Sequence, residues 1–234
     1  MKRLLIGAAA LALMVGFSAV SAQQFEGVNV CKKCHVDQAD AWAKTPHAKA
    51  MDSLKPKVKA TEKKKAGLDP DKDYTQDNAC LQCHSTGYGQ PGGYTLEMAA
   101  ADAKHFANVG CESCHGAGSL FRKEHGKADD LRKSQGELTS RDVLVKAGQN
   151  FDYQEACASC HLNYEGSNWK GAHAPFTPFT PKIDAKYAFD FLKEALRSGA
   201  GAGVHEHYKL KGVFKGEPVP PIRAEIQKTA SEPD

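Results

Sequence analysis

Four short segments of the chain repeat one arrangement of two cysteines and a histidine, C-x-x-C-H. These frames are Cys31, Cys34 and His35; Cys80, Cys83 and His84; Cys111, Cys114 and His115; and Cys157, Cys160 and His161. Two cysteines three residues apart lie on one helical turn, so both sulfurs can bond the two vinyl groups of one porphyrin edge while the histidine reaches the iron. The frame is the attachment signature of c-type haem. The sequence therefore predicts four covalently bound haems.

The same cysteines could in principle serve two other purposes. An exported chain with eight cysteines would ordinarily form disulfides, and C-x-x-C pairs also bind zinc. All eight cysteines, however, fall in the four frames, and both alternatives leave the four following histidines unexplained. We expect the macrocycles to supply much of the apolar core, because aromatic residues make up only 8% of the chain.

The first 22 residues have the composition of a cleaved signal peptide. Lys2 and Arg3 precede an apolar run that ends near Phe17, and small residues lead up to Ala22. An uncleaved anchor is the alternative, but the run falls short of the roughly 20 residues that cross a bilayer. We expect cleavage after Ala22 and a periplasmic protein, with a tetrahaem cytochrome domain over residues 23–216 and a mobile C-terminal tail over residues 217–234.

Charge does not suggest a nucleic-acid partner. Loss of Lys2 and Arg3 with the signal peptide leaves 29 basic against 28 acidic residues, and haem propionates would make the holoprotein slightly acidic. Six lysines between Lys55 and Lys65 form a local basic run. It is interpreted either as a solvated surface or as a docking patch for an acidic redox partner.

The frames follow one another at unequal intervals, so haem number rather than a structural repeat organises the chain. Few segments alternate in polarity, and the expected fold is mainly α with extensive irregular chain. Each frame should lie in or beside a short helix. The specific expectations are an Asp152 and Glu155 capping box, a Thr45 cap with Pro46 at the first helical position, helices over Ser140–Lys146 and Asp184–Arg197, and loops over Gly87–Gly93 and Gly199–Gly203.

Six further histidines are candidates for the sixth ligand of each iron: His47, His105, His125, His173, His205 and His207. Only Met51 and Met98 remain after the signal peptide, so bis-histidine coordination is favoured over histidine–methionine coordination. His205 and His207 would face opposite ways in an extended segment, so we expect one to ligate and the other to face solvent. Sequence alone leaves the pairing of histidines open.

The chain resembles the tetrahaem cytochrome c-554 family of ammonia-oxidising bacteria and related methane oxidisers. The matching blocks cover essentially the whole chain after the signal peptide: TPHAKAMDSLKP from Thr45, LDPDKDYTQD from Leu68, GCESCHGAG from Gly110, CHLNYEGSNWKGAHAPFTPFTP from Cys160 and HEHYKLKGVF from His205. C-x-x-C-H alone fits any multihaem cytochrome, whereas these flanking blocks are far more specific.

The resemblance implies a periplasmic, mainly α electron carrier. It would accept electrons from hydroxylamine oxidoreductase or a similar multihaem donor and pass them toward the membrane quinone pool or smaller cytochromes. A monomer is expected.

The family pattern also implies roles for individual residues. Three haems would be bis-histidine, with distal ligands His47, His125 and His205. The second haem would be five-coordinate on His84, with its open site lined by Thr177, Pro178 and Phe179. His173 is a departure from the pattern, and it would close that site if it bound the second iron. If the second iron keeps an open position, the alternative function is a nitric oxide reductase or sensor at the second haem.

Overall fold

A computed structural model describes residues 22–161, 177–198, 205–216 and 221–232. The expected signal peptide up to residue 21, His173 and the expected loop Gly199–Gly203 lie outside these residues. The α-helices within the described chain are α1 (Val28–Lys32), α2 (Val36–Trp42), α3 (Ala60–Lys65), α4 (Asn78–His84), α5 (Ala100–Ala103), α6 (Glu112–His115), α7 (Phe121–Gln135), α8 (Asp142–Lys146), α9 (Tyr153–Ala158), α10 (Phe191–Leu196) and α11 (Pro221–Lys228).

Two 3₁₀ helices and one small sheet complete the regular structure. The 3₁₀ helices are Pro46–Leu54 and Ala185–Tyr187, and the strands are β1 (Thr139–Ser140) and β2 (Phe214–Lys215). The strands pair in parallel, with Thr139 opposite Phe214 and Ser140 opposite Lys215. The prediction of a mainly α fold with extensive irregular chain is confirmed. No helix among the described residues is long and apolar enough to cross a membrane.

The polypeptide supplies little apolar core of its own. One hydrophobic cluster forms around Leu54, Tyr74 and Leu81, and Leu81 is the most deeply buried of the three. Other buried apolar residues, such as Phe106 and Leu144, are scattered along the described chain. This arrangement agrees with a fold whose interior is shared with large cofactors.

Helix α7 shows how local sequence positions a candidate ligand. Phe121 and Ala128 are its buried residues, and His125 lies on the same face because residues four and three apart share one side of a helix. Gly136 ends the helix in the left-handed region at φ 72°, where its N–H bonds to the carbonyl of Arg132. His125 is thereby directed toward the interior.

The capping predictions are confirmed in part. Asp152 caps α9, since its carboxylate accepts a hydrogen bond from the Glu155 N–H at 2.9 Å. Pro46 takes the first position of its helix as predicted, but Thr45 makes no side-chain cap. Its hydroxyl instead donates to the carbonyl of Trp42 at 2.8 Å, so the preceding turn uses the group that would have capped the helix.

Two predictions of secondary structure require correction. The single helix expected over Asp184–Arg197 is split into the 3₁₀ helix Ala185–Tyr187 and α10, because Asp184 and Asp190 each cap a separate N-terminus and extended backbone separates them. The segment expected to be a tail, residues 217–234, contains α11, which packs against α10. Pro221 suits the first turn of a helix, and packing against α10 adds tertiary support to a helix of only eight residues.

Residues 23–27, here called the N-terminal strap, tie the start of the described chain to later elements. Glu26 forms a bidentate ion pair with Arg122 on α7, with N–O distances of 2.6 and 2.8 Å. Gly27 has φ 82°, and an added Cβ would lie 3.1 Å from atoms of His105 and Phe106. Glycine is therefore needed where the strap enters α1.

Candidate haem sites

Each C-x-x-C-H frame forms a single helical turn. The histidine N–H donates to the carbonyl of the first cysteine at 3.0 Å in the first frame, 3.0 Å in the third and 2.9 Å in the fourth. The second frame lies entirely within α4, whose N-terminus is capped by Asp77. The prediction that every frame lies in or beside a short helix is confirmed, and the cysteines and histidine of each frame are brought to one side of the chain.

Two pairs of histidines face each other across a gap that suits a metal ion. The ring centroids of His35 and His125 are 6.3 Å apart with planes at 76°, and those of His47 and His161 are 6.3 Å apart with planes at 66°. A metal–imidazole bond is about 2 Å and the ring centroid lies roughly 1 Å further on, so ligands on opposite faces of one iron have centroids about 6 Å apart. The fold therefore brings together pairs that the sequence left open.

A third group of rings surrounds His115. Burial lowers the pKa of His115 to about 3, and the neighbouring groups His205 and Arg223 contribute to the shift. The Tyr153 ring meets His115 edge-on at 5.4 Å between centroids. His205 Nδ1 is 2.6 Å from the carbonyl oxygen of Glu206, a contact that orients its ring. The ring of His205 also lies against that of His207, with centroids 5.8 Å apart. Since His125 and His47 face histidines of other frames, His205 is the distal candidate that the family pattern leaves for the third frame.

His84, in the second frame, is held differently. Its Nδ1 lies 2.7 Å from the carbonyl oxygen of Ala50 and 3.2 Å from the hydroxyl of Ser53. Such contacts fix the tautomer and orientation of a ligating imidazole, leaving Nε2 for the metal. Within the ranges that the structure describes, no second histidine ring is in stacking contact with His84.

The protonation of all seven candidate ligands suits coordination. Desolvation is the first cause that lowers the pKa of each imidazole: His35, His47, His84, His115, His125, His161 and His205. Iron binds neutral imidazole, and a depressed pKa keeps each ring neutral at pH 7. The seven rings are therefore poised to bind metal without first losing a proton.

The cysteines show how the frames are arranged relative to one another. The thiols of Cys31 and Cys111 lie close enough to interact, which raises the pKa of Cys31 and lowers that of Cys111. The thiols of Cys83 and Cys160 interact in the same way, which lowers the pKa of Cys160 to about 7. The first frame therefore adjoins the third, and the second adjoins the fourth.

The two pairs of frames are themselves connected. Burial raises the pKa of Cys114 to about 12, and Cys157 and Cys160 add to the rise. The third frame is consequently close to the fourth, as the contact between α6 and α9 also indicates. The frames form a continuous series in the order first, third, fourth and second.

Three of the remaining predictions concern the open site. Thr177, Pro178 and Phe179 form a tight turn in which the Thr177 hydroxyl accepts from the Phe179 N–H at 3.1 Å. The Phe179 ring packs on Tyr187, with centroids 5.4 Å apart. His173, whose position bears on this site, lies outside the described residues.

Two other histidines are assigned by their contacts. His105 Nε2 lies 3.1 Å from the side-chain amide of Asn29, so this ring contacts α1 near its junction with the N-terminal strap. The expectation that one of His205 and His207 faces solvent is wrong, because His207 is only 7% exposed. His207 is enclosed where its carbonyl accepts a hydrogen bond from the N–H of Ser231, near the end of the chain.

The lysine run does not form one uniform basic face. Lys63 is buried and its ammonium donates to the carbonyl of Lys55 at 2.6 Å. Lys55 also pairs with Asp52, and Lys65 pairs with Asp184. Half of the run is thus engaged within the fold, which supports its interpretation as a mostly structural and solvated surface.

Sequence reasoning missed several residues around the frames. Glu112 is buried between the two cysteines of the third frame, where its carboxylate accepts bonds from the N–H groups of Glu26, Gly27 and Gly118. Nothing in one sequence distinguishes it from other variable positions of a C-x-x-C-H frame. Tyr153 and Arg223 were missed as well, because their partners lie far away along the chain.

The residues present fit covalently bound haem. All eight cysteines are free thiols, as attachment to vinyl groups requires. Three buried polar atoms among the described residues lack hydrogen-bond partners: His115 Nδ1, Tyr187 Oη and His207 Nε2. Orphaned buried atoms are costly in a polypeptide alone, whereas haem propionates would offer acceptors to N–H and O–H groups in such positions.

The chain is similar to known cytochromes. Residues 30–116 match the family described as cytochrome c554 and c-prime. The chain is 50% identical over 226 residues to cytochrome c-554 of Nitrosomonas europaea, which covers 97% of this chain and 94% of that protein. It also resembles the solved reduced state of cytochrome c554 from Nitrosomonas europaea, with a TM-score of 0.81 and 51% identity, covering 90% of this chain and 99% of that one.

Proposed function

This chain belongs to the cytochrome c-554 family, and on that premise we propose that it is a periplasmic tetrahaem electron carrier. As a c-type cytochrome of this family it carries covalently bound haem and transports electrons. Four complete C-x-x-C-H frames support a count of four haems. The observation that carries the proposal is the pair of facing histidines, His47 and His161, whose separation suits a low-spin haem.

The proposed ligand sets follow from the geometry and the family pattern together. The first haem takes His35 and His125, and the fourth takes His161 and His47. The third takes His115 and His205. The second haem is held by His84 as its single protein ligand. Bis-histidine coordination keeps both oxidation states six-coordinate, so little reorganisation accompanies electron transfer, and it gives lower potentials than a methionine ligand.

The series of frames supports a route for electrons through the molecule. Contacts link the first frame to the third, the third to the fourth and the fourth to the second. Haems attached to neighbouring cysteines have their edges close together, so an electron can enter at one end of the series and leave at the other. We propose hydroxylamine oxidoreductase or a similar multihaem enzyme as the donor, and a membrane-bound or small cytochrome that leads to quinone as the acceptor.

The proposal is tested on the purified exported protein. A pyridine haemochrome assay should find four haems per chain, and electron paramagnetic resonance of the oxidised protein should show mostly low-spin iron. Stopped-flow mixing with hydroxylamine oxidoreductase and hydroxylamine should reduce the haems rapidly. Sequencing of the N-terminus from a periplasmic extract should begin at Gln23. Loss of covalent haem, or reduction no faster than by hydroxylamine alone, would contradict the proposal.

A second candidate function is binding or reduction of nitric oxide at the second haem. It is favoured by His84, against which no second histidine ring lies in the described chain, and the resemblance to the family adds Thr177, Pro178 and Phe179 as the lining of the open position. A five-coordinate iron accepts small ligands when its distal side is accessible. Exposure of the reduced protein to nitric oxide should give the resonance of one haem–nitrosyl per chain. An oxidised spectrum that is entirely low-spin, with no adduct, would exclude this activity.

A further inference from the structure

The C-terminal residues 221–232 contact the supports of both candidate ligands of the third haem. This segment comprises α11 and the residues 229–232 that follow it. It lies beyond the residues that match the family model. The proposed ligand sets and electron route make no use of the segment. Its contacts nevertheless converge on the two sides of one site.

On the distal side, the segment holds the extended chain that carries His205. The N–H of Ser231 donates to the carbonyl of His207 at 2.9 Å, and the N–H of Lys209 donates to the carbonyl of Ser231 at 2.7 Å. Gln227 adds two bonds, from its amide to the carbonyl of Tyr208 at 3.1 Å and from the N–H of Leu210 to its carbonyl at 3.0 Å. The chain directly after His205 therefore finds its backbone partners in the C-terminal segment.

On the proximal side, the same helix reaches His115 through one intermediary. The guanidinium of Arg223 donates to the Tyr153 hydroxyl at 2.9 Å and lies 5.8 Å from the centre of that ring. The Tyr153 ring in turn meets His115 edge-on at 5.4 Å. Arg223 and Gln227 are four residues apart, so they occupy one face of α11. One helical face thus supports both sides of the site.

Arg223 also places a permanent positive charge beside the third site. Its guanidinium donates to the hydroxyl of Tyr153, whose ring meets His115 edge-on, so one side chain separates the charge from the proximal candidate. A nearby cation disfavours the more positive ferric iron relative to the ferrous form. The charge should therefore raise the reduction potential of the haem that His115 holds.

We propose that residues 221–232 are the positioning element of the third haem, keeping His205 on its iron through Gln227 and Ser231 and raising its reduction potential through Arg223. The proposal rests on the assignment of His115 and His205 in the proposed function. Arg223 and Gln227 act through Tyr153 and the 205–210 backbone, so they are positioning residues rather than ligands.

The first experiment tests, in the protein with its haems bound, whether residues 221–232 hold His205 in place. Gln227→Ala should weaken the His205–iron bond, and a chain ending at Gly216 should lose that bond. Low-spin signal then decreases by one haem in electron paramagnetic resonance, and carbon monoxide bound by the reduced protein rises roughly twofold. Lys228→Gln is the control, since Lys228 pairs with Glu225 on the same helix and faces away from the site. If the spectra of Gln227→Ala and of the chain ending at Gly216 both equal those of wild type, the C-terminal segment does not hold His205 on its iron.

The second experiment tests the charge by redox titration of separate haems. Arg223→Gln should lower the potential of one haem and leave the other three unchanged, whereas Arg223→Lys, which retains the charge, should restore it. A uniform shift of all four potentials, or none, would overturn this role of Arg223. If the shortened chain fails to fold, Gln227→Ala and Arg223→Gln still decide the matter. Wild-type haem content and spin state are measured first, so failure of the proposed function is recognised separately.

Discussion

The ring centroids of His47 and His161 lie 6.3 Å apart, although His47 follows the first frame in the sequence and His161 belongs to the fourth. The 3₁₀ helix that carries His47 also provides the Ala50 carbonyl that orients His84 of the second frame. One short helix therefore serves two haem sites, and the fourth and second frames are joined through it as well as through their cysteines.

Replacement of His47 should convert one low-spin haem to high spin. In His47→Ala the iron held by His161 loses its sixth ligand, since the facing ring is removed, and the reduced protein should bind about one additional carbon monoxide per chain. Optical and electron paramagnetic resonance spectra measure the change. His105→Ala is the matched control, because His105 contacts Asn29, and its spectra should equal those of wild type. A high-spin signal in the control variant that exceeds the signal of wild type would contradict these assignments.

Removal of the Glu112 carboxylate should destabilise the fold by about 2 to 3 kcal/mol, because three backbone N–H groups would remain buried without an acceptor. Glu112→Ala is compared with wild type by denaturant unfolding followed in the Soret and far-ultraviolet regions. Glu225→Ala, on an exposed face of α11, is the control and should change the free energy of unfolding by less than about 0.5 kcal/mol. Equal effects of the two substitutions would argue against a structural role for Glu112.

The ion pair between Glu26 and Arg122 should make attachment of the strap sensitive to acid. The hydrogen bond from Arg122 lowers the pKa of Glu26 below its ordinary value, so the unfolded chain binds a proton more readily than the folded one. The stabilisation is therefore present above the unfolded pKa and is lost as pH falls through the folded pKa. Since both side chains are partly exposed, it amounts to less than about 1 kcal/mol.

A double-mutant cycle measures this pair. Glu26→Gln and Arg122→Gln, singly and together, are unfolded at pH 7 and at pH 3, and the coupling energy should be smaller at pH 3 than at pH 7. The pair Glu124 and Lys127 on α7 provides a matched exposed cycle. A coupling energy of the same size at both pH values would contradict the prediction.

Loss of the Asp152 cap should loosen the fourth frame. Asp152→Ala removes the acceptor for the Glu155 N–H at the start of α9 and should cost about 1 kcal/mol. Asp152→Asn, which keeps a side-chain oxygen, should recover most of that loss. Thermal unfolding of the three proteins orders their stabilities. If the asparagine variant is no more stable than the alanine variant, capping is not the reason for any loss.

Local features were predictable from sequence because their causes are local. The C-x-x-C-H frames lie on single helical turns, since five consecutive residues contain all the required chemistry. Asp152 was identified as a cap for the same reason. The Thr45 cap and the long helix from Asp184 failed because each depended on a choice among nearby partners: the Trp42 carbonyl in one case and a second aspartate cap in the other.

The sequence by itself determined the number of C-x-x-C-H frames, the candidate proximal histidines within them and the mainly α class, because covalent spacing and helical propensity act over a few residues. Only the tertiary structure decided that His125 faces His35, that His47 faces His161, and that Arg223 and Gln227 reach the third site. These contacts join residues from distant parts of the chain, and loop closure, packing and burial bring them together. No pattern within one short window contains that information.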